Sequence, residues 1–182
     1  MQLLPPPAHE ELCITLIGMP GAGKSTLGSL LARHLQWAFV DTDLLIEAAY
    51  GAELQSITNA MSKEDFLNVE ASVVSSVRAH RTVLATGGSV VYRAQAMEHL
   101  RALGPVLYLH VPFALIEERV ARNPERGLAI APGQTLTHLY EERRALYEHY
   151  ATLSISTENL TPQESVQAVL SALQKQHILP QR

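Results

Sequence analysis

At 182 residues the chain is long enough for one domain with a full core and short for two. Its net charge of −4 offers no broad basic surface to nucleic acid, and no segment approaches the ~20 apolar residues that span a bilayer. A single cysteine, Cys13, rules out an internal disulfide and suits a reducing cytoplasm, and the eight histidines have no ligand-like spacing that would point to zinc.

Residues 1–10, with three consecutive prolines and neither a basic start nor a signal-length apolar stretch, read as a loose arm. Residues 11–182 then read as one domain. Leu12, Ile14, Leu16 and Ile17 form a short apolar run with β-branched members, which predicts a buried strand. Gly18-Met19-Pro20-Gly21-Ala22-Gly23-Lys24-Ser25-Thr26 follows and fits the phosphate-loop pattern G-x-x-x-x-G-K-[ST] in full. Leu27, Leu30, Leu31 and Leu35 then recur at helical spacing, so the loop opens a helix. Unpaired N–H groups and the helix dipole favour an anion there. Lys24 adds a compact positive charge for the outer phosphates. The Ser25 hydroxyl is a hard oxygen suited to Mg²⁺.

Ala38–Val40 is a second apolar run, ending at Asp41-Thr42-Asp43. Residues 43–50 look helical and Gly51 stops them. Ser62 caps a longer helix with Asp65 at the capping-box position, and Phe66, Val69, Val73 and Val77 share one helical face. Val83-Leu84-Ala85 is a third strand, ended by Gly87-Gly88. Residues 93–103 return to helix until Gly104-Pro105, and Val106–Val111 is a fourth strand. Pro112 starts a helix running to about Ala121. A stretch punctuated by Pro124, Gly127, Pro132 and Gly133 follows, then a charged helix at 135–150. Leu153–Ile155 is a short last strand, and Pro162 opens a terminal helix.

Strands alternating with helices predict a three-layer α/β domain, a mostly parallel sheet with helices on both faces. Right-handed crossovers gather the strand C-terminal ends along one edge, where such sheets bind ligands. The phosphate loop, the Asp41/Asp43 pair and Thr86-Gly87-Gly88 all fall on that edge. Asp41 and Asp43 read either as site carboxylates or as caps of the following helix, and their place beside a phosphate loop favours the site. Gly87 and Gly88 read as a turn that lets a substrate approach the backbone.

This set of motifs resembles the shikimate kinase family from about residue 12 to residue 175. Its members look like a Gly-Lys-Ser-Thr loop, Asp-Ser-Asp, Phe-Arg-x-x-Glu, Thr-Gly-Gly-Gly, a lid Arg and Arg-x-x-Leu-Tyr. The chain has Gly23-Lys24-Ser25-Thr26, Asp41-Thr42-Asp43, Phe66-Leu67-Asn68-Val69-Glu70, Thr86-Gly87-Gly88-Ser89, Arg126 and Arg143-Arg144-Ala145-Leu146-Tyr147. The resemblance implies a phosphate-loop NTPase fold of the nucleoside-monophosphate-kinase type, with a five-stranded parallel sheet and a lid. It implies ATP- and Mg²⁺-dependent phosphorylation of a small carboxylate's hydroxyl. In that reading Gly21, Ala22, Gly23, Lys24, Ser25, Thr26 and Arg122 bind nucleotide, and Ser25 and Asp41 hold the metal. Lys24, Asp43 and Arg126 carry the chemistry. Asp43, Glu70, Gly87, Gly88 and Arg143 bind the acceptor, Arg143 gripping its carboxylate. A monomer with no nucleic-acid or membrane partner is expected.

The chain departs from the pattern in the lid, where the segment between Arg122 and Arg126 is shorter than in typical relatives and Gly127 replaces the usual Pro. It departs as well at two positions of the acceptor side. Leu67 stands where the family has an Arg that clamps the substrate carboxylate, and Ser89 replaces the third Gly. Both changes fall on the acceptor half and leave the ATP half intact. Shikimate is the acceptor the resemblance names, with Arg93 or Arg144 as replacement cations. A pocket with Asp43, Glu70 and one Arg fewer also suits an ammonium, so a hydroxy-amino acid such as homoserine is the alternative. A nucleotide binder without kinase activity and a nucleotide or nucleic-acid kinase are the more distant ones.

Overall fold

Burial on both faces marks the middle of the sheet: all four residues of β1 (Ile14–Ile17) and of β3 (Thr82–Ala85) are inaccessible to solvent. The computed structural model describes residues 12–122 and 133–180. Residues 1–11, 123–132 and 181–182 lie outside the described part, and with them the expected N-terminal arm and the lid residue Arg126. Strands β2 (Ala38–Asp41), β4 (Val106–His110) and β5 (Leu153–Ser156) complete a five-stranded sheet in the order β2-β3-β1-β4-β5, with every pairing parallel.

The helices are α1 (Lys24–Leu35), α2 (Thr42–Tyr50), α3 (Leu54–Ala60), α4 (Lys63–Ser76), α5 (Ala94–Leu103), α6 (Phe113–Arg122), α7 (Leu136–Tyr150) and α8 (Pro162–Lys175). They cover both faces of the sheet. Helix α1 packs on β1, β2 and β3 and against α8, while α4 packs against α5 and α7 lies on β4. After β1 the chain crosses to the sheet edge, returns through β3, then leaves to the other side through β4. That reversal puts the end of β1 at the switch point, the crevice in which doubly wound sheets bind ligands.

The expected strands and long helices are present within a residue or two. Ser62 caps α4 by accepting from the Asp65 N–H, and Gly51 ends α2 in the left-handed region at φ 64°. Helix α3 and a 3₁₀ turn at Val90–Tyr92 were not legible. The segment Leu-Gln-Ser-Ile-Thr-Asn-Ala is short and weak in helix propensity. It is held by tertiary contacts: Glu47 Oε1 accepts from the Leu54 N–H at 2.8 Å, and Ile57 packs in a small cluster with Ile46 and Phe66.

The expected single apolar face of α4 divides in two. Phe66, Val69 and Val73 serve the small cluster, whereas Val74 and Val77 join the main core beneath the sheet. Between these faces Leu67 and Glu70 are also buried, and Glu70 is thereby turned toward the strand ends.

Candidate active site

The phosphate loop leaves β1 at Gly18, whose φ is 146°; a Cβ there would stand 2.8 Å from the Leu109 carbonyl oxygen on β4. Only glycine accommodates both demands. The loop ends where α1 begins, and Gly23 caps that helix with no side-chain bond. The first-turn N–H groups of α1 therefore face the loop hollow without a competing cap, which is the geometry that holds phosphate. Lys24 is only 8% exposed, and its Nζ donates to the carbonyls of Gly18 at 2.8 Å and Met19 at 3.0 Å. Its charge is anchored inside the loop.

Asp41 closes β2 and faces this loop. Its Oδ1 accepts from the Asp43 N–H at 3.1 Å, capping α2, and its Oδ2 accepts from Ser25 Oγ at 2.6 Å. The two readings of this residue are thus compatible, with one carboxylate oxygen for each. Two hard oxygens, Ser25 Oγ and Asp41 Oδ2, meet beside a cationic phosphate loop, and that donor set fits Mg²⁺.

Parallel register brings the acceptor side to the same place. Asp41 is level with Ala85 of β3, so Asp43, two residues on, meets Gly87, two residues past Ala85. A Cβ on Gly87 would collide with Glu70 Oε1 and lie 2.8 Å from Asp43 Oδ1. Both carboxylates therefore rest on the bare Cα of Gly87. A Cβ on Gly88 would lie 3.0 Å from an Arg143 terminal nitrogen. Asp43, Glu70, Gly87, Gly88 and Ser89 line one pocket together with Lys24 and Ser25.

Two of these charges are deeply buried. Glu70 and Arg143 are each 1% exposed. Burial pushes the Glu70 carboxyl up to about 7; Asp43 pushes the same way, while Ser89, Arg143 and Lys24 oppose it. Ser89 Oγ donates to Glu70 Oε2 at 2.7 Å.

Arg143 is held by Tyr92, whose hydroxyl accepts from Nε at 3.4 Å and whose ring centroid lies 5.3 Å from the guanidinium carbon. Tyr147, one helical turn beyond Arg143 on α7, donates to the Gly88 carbonyl at 2.6 Å and stacks on Tyr108. Sequence reasoning assigned no role to Tyr92 or Tyr147. The Arg-x-x-x-Tyr spacing, which puts both side chains on one helical face, was the available signal for the second.

The replacement cations do not reach the pocket. Arg93 pairs with Glu64 and Asn68, and Arg144 pairs with Glu141 on the outer side of α7. Leu67 is 4% exposed and offers only hydrocarbon. On the nucleotide side, the Arg122 side chain is 72% exposed and pairs with Glu118 one turn back on α6. Arg119 is the arginine that meets the loop, donating to the Gly21 carbonyl at 2.9 Å. Arg119 also lines a 150 Å³ cavity with Gly23, Thr26, Leu160 and Pro162, beside the loop.

A parallel 2-3-1-4-5 sheet, a Gly-Lys-Ser loop on its central strand and a carboxylate pair beside it define a phosphate-loop phosphotransferase. Comparison with known proteins narrows the class. The shikimate kinase family model matches residues 20–174. A shikimate kinase from Microcystis aeruginosa is 36% identical over 166 residues, covering 89% of this chain and 86% of the relative. One from Pseudomonas paraeruginosa is 38% identical over 165 residues, covering 89% and 96%. A solved shikimate kinase from Acinetobacter baumannii, in complex with shikimate, superposes with a TM-score of 0.83 at 32% identity, covering 92% and 96%. The chain belongs to the shikimate kinase family and is by that membership an ATP-dependent phosphotransferase. The reading as a nucleotide binder without transfer activity falls with this finding. No described helix is long and apolar enough to cross a membrane.

Proposed function

We propose that this protein transfers a phosphoryl group from ATP to a hydroxyl of a small carboxylate, with shikimate the acceptor its family names and shikimate 3-phosphate the product. The observation that carries this reading is the convergence of Asp43 and Arg143 on the Gly87-Gly88 turn at the mouth of the phosphate loop. Bound ATP supplies the phosphoryl group and Mg²⁺ the counter-charge on its oxygens. Lys24 neutralises charge on the transferred group, and Ser25 and Asp41 provide oxygens for the metal. Asp43 accepts the proton of the attacking hydroxyl. Arg143, steadied by Tyr92, grips the acceptor carboxylate in a bidentate fork. Arg126, outside the described residues, is assigned to the phosphates by resemblance. A monomer is part of this reading, and the buried free thiol of Cys13 suits the cytoplasm.

One observation favours a second acceptor, a hydroxy-amino acid such as homoserine. The pocket holds two carboxylates, and among the described residues Glu70 Oε1 is buried without a hydrogen-bond partner. Leu67 adds no cation to balance them. An anion such as shikimate meets that acidic pair with Arg143 and Lys24 as the cations acting on Glu70 among the described residues. A zwitterion offers Arg143 its carboxylate and Glu70 an ammonium, which draws Glu70 into its charged form.

Coupled measurement of ADP release with Mg²⁺-ATP and each acceptor tests both readings. Saturable stimulation by shikimate supports the first, and stimulation by homoserine alone supports the second. No stimulation by any small hydroxy-carboxylate at millimolar concentration would remove both.

A further inference from the structure

Ser89 decides how Glu70 faces the acceptor. Glu70 projects from α4 into the pocket with its two oxygens in different surroundings. Oε2 takes the Ser89 hydroxyl at 2.7 Å, while Oε1 rests against the Cα of Gly87 and has no hydrogen-bond partner among the described residues. The terminal torsion of a glutamate is broad and intrinsically loose. Leu67, one turn earlier on the same helix, has no group that could fix it. We infer that Ser89 is a specificity-determining positioning residue: it holds Glu70 so that Oε1 receives a hydrogen-bond donor of the acceptor.

A buried carboxylate oxygen left unsatisfied is costly, so the site is set to reward any acceptor that brings a donor to that point. An ammonium gains most and a hydroxyl less. The charged groups around Glu70 are Asp43 from α2, Lys24 from α1 and Arg143 from α7. None of them comes from the Gly87-Gly88-Ser89 turn, where the Ser89 hydroxyl bonds directly to Glu70. The inference rests on the kinase reading for its substrate and on the Ser89–Glu70 bond for its geometry.

Ser89→Ala removes the hydroxyl, and Ser89→Thr keeps it. Whichever of shikimate and homoserine the wild type prefers, its KM rises about tenfold in Ser89→Ala, while the KM for ATP stays within about twofold. Ser89→Thr recovers most of the loss. Carbon-13 NMR titration of the glutamate carboxyls gives a readout independent of turnover. Losing the Ser89 bond moves the Glu70 midpoint upward, because that bond favours the ionised form. A folded Ser89→Ala with unchanged acceptor KM, or with an unmoved Glu70 titration, overturns the inference. If Ser89→Ala does not fold, Ser89→Gly supplies the same loss at a residue of ordinary backbone geometry (φ −97°). A wild type that turns over neither acceptor counts against the kinase reading, and the titration still decides the role of Ser89.

Discussion

Ser25 Oγ and Asp41 Oδ2 are 2.6 Å apart, joining the first turn of α1 to the end of β2 across the central crevice. This bond pre-positions two hard oxygens, and the second oxygen of Asp41 is fixed in turn by the Asp43 N–H. Removing either partner leaves the metal with a looser cradle. Ser25→Ala and Asp41→Asn should each raise the Mg²⁺ concentration for half-maximal turnover by about tenfold, a loss of about 1.4 kcal/mol. Activity measured against Mg²⁺ at saturating ATP checks this, and an unchanged midpoint in both variants would remove the pair from the metal site.

Asp43→Asn keeps the shape of the side chain and removes the proton acceptor. Turnover should fall by about 10² to 10⁴-fold, the usual contribution of general base catalysis. Its KM for ATP should stay within about threefold. A drop below tenfold would show that Asp43 only orients the hydroxyl.

Arg143 and Tyr92 should act as a unit on the acceptor. Arg143→Lys retains charge but loses the planar fork, and the acceptor KM should rise about ten- to a hundredfold. Tyr92→Phe loses the hydroxyl with its long 3.4 Å contact to Nε and should cost less than about threefold. Tyr92→Ala also removes the ring beneath the guanidinium and should fall between the two. Initial rates at varied acceptor concentration give all three values, and a Tyr92→Ala enzyme with wild-type KM would show that the ring is dispensable.

Glu70 links stability to pH. Its carboxyl titrates near 7 in the fold against about 4.5 when exposed. The folded state therefore holds a proton that the unfolded chain releases in that window. This contribution is fully present below about pH 4.5 and is lost as pH rises through about 7. Its full size is on the order of 3 kcal/mol. Glu70→Gln, which stays neutral, should lack this loss. Urea unfolding at pH 5 and pH 8 should show the variant gaining on the wild type by a few kcal/mol at the higher pH. An equal difference at both values would contradict a raised Glu70.

Gly87→Ala would drive a methyl group into Glu70 and toward Asp43. Both carboxylates must move, so acceptor turnover should fall at least a hundredfold while nucleotide binding, across the phosphate loop, persists. Calorimetric titration with ADP beside the kinetic assay separates these effects, and near-normal turnover would mean the turn is looser than its contacts indicate.

The sequence by itself determined the sheet and the phosphate loop. Those features follow from short-range rules: apolar runs bounded by turns, a loop whose glycines and Lys24 occupy fixed positions, and caps such as Ser62. Asp41 and Asp43 were legible beside that loop, and the family resemblance added Glu70 and Arg143 as candidates and marked the departures at Leu67 and Ser89. Tertiary structure alone decided which partners these residues meet. The contact of Arg119 with the Gly21 carbonyl depends on how α6 packs, and the hold of Tyr92 on Arg143 depends on a 3₁₀ turn that no periodicity announces. The Ser89 hydroxyl reaches a glutamate nineteen residues away because the 3₁₀ turn that Ser89 opens packs against α4. Such contacts join residues distant in the chain, and local patterns carry no information about them. The character of the acceptor pocket is therefore written in the packing, while the handling of ATP is written in the loop.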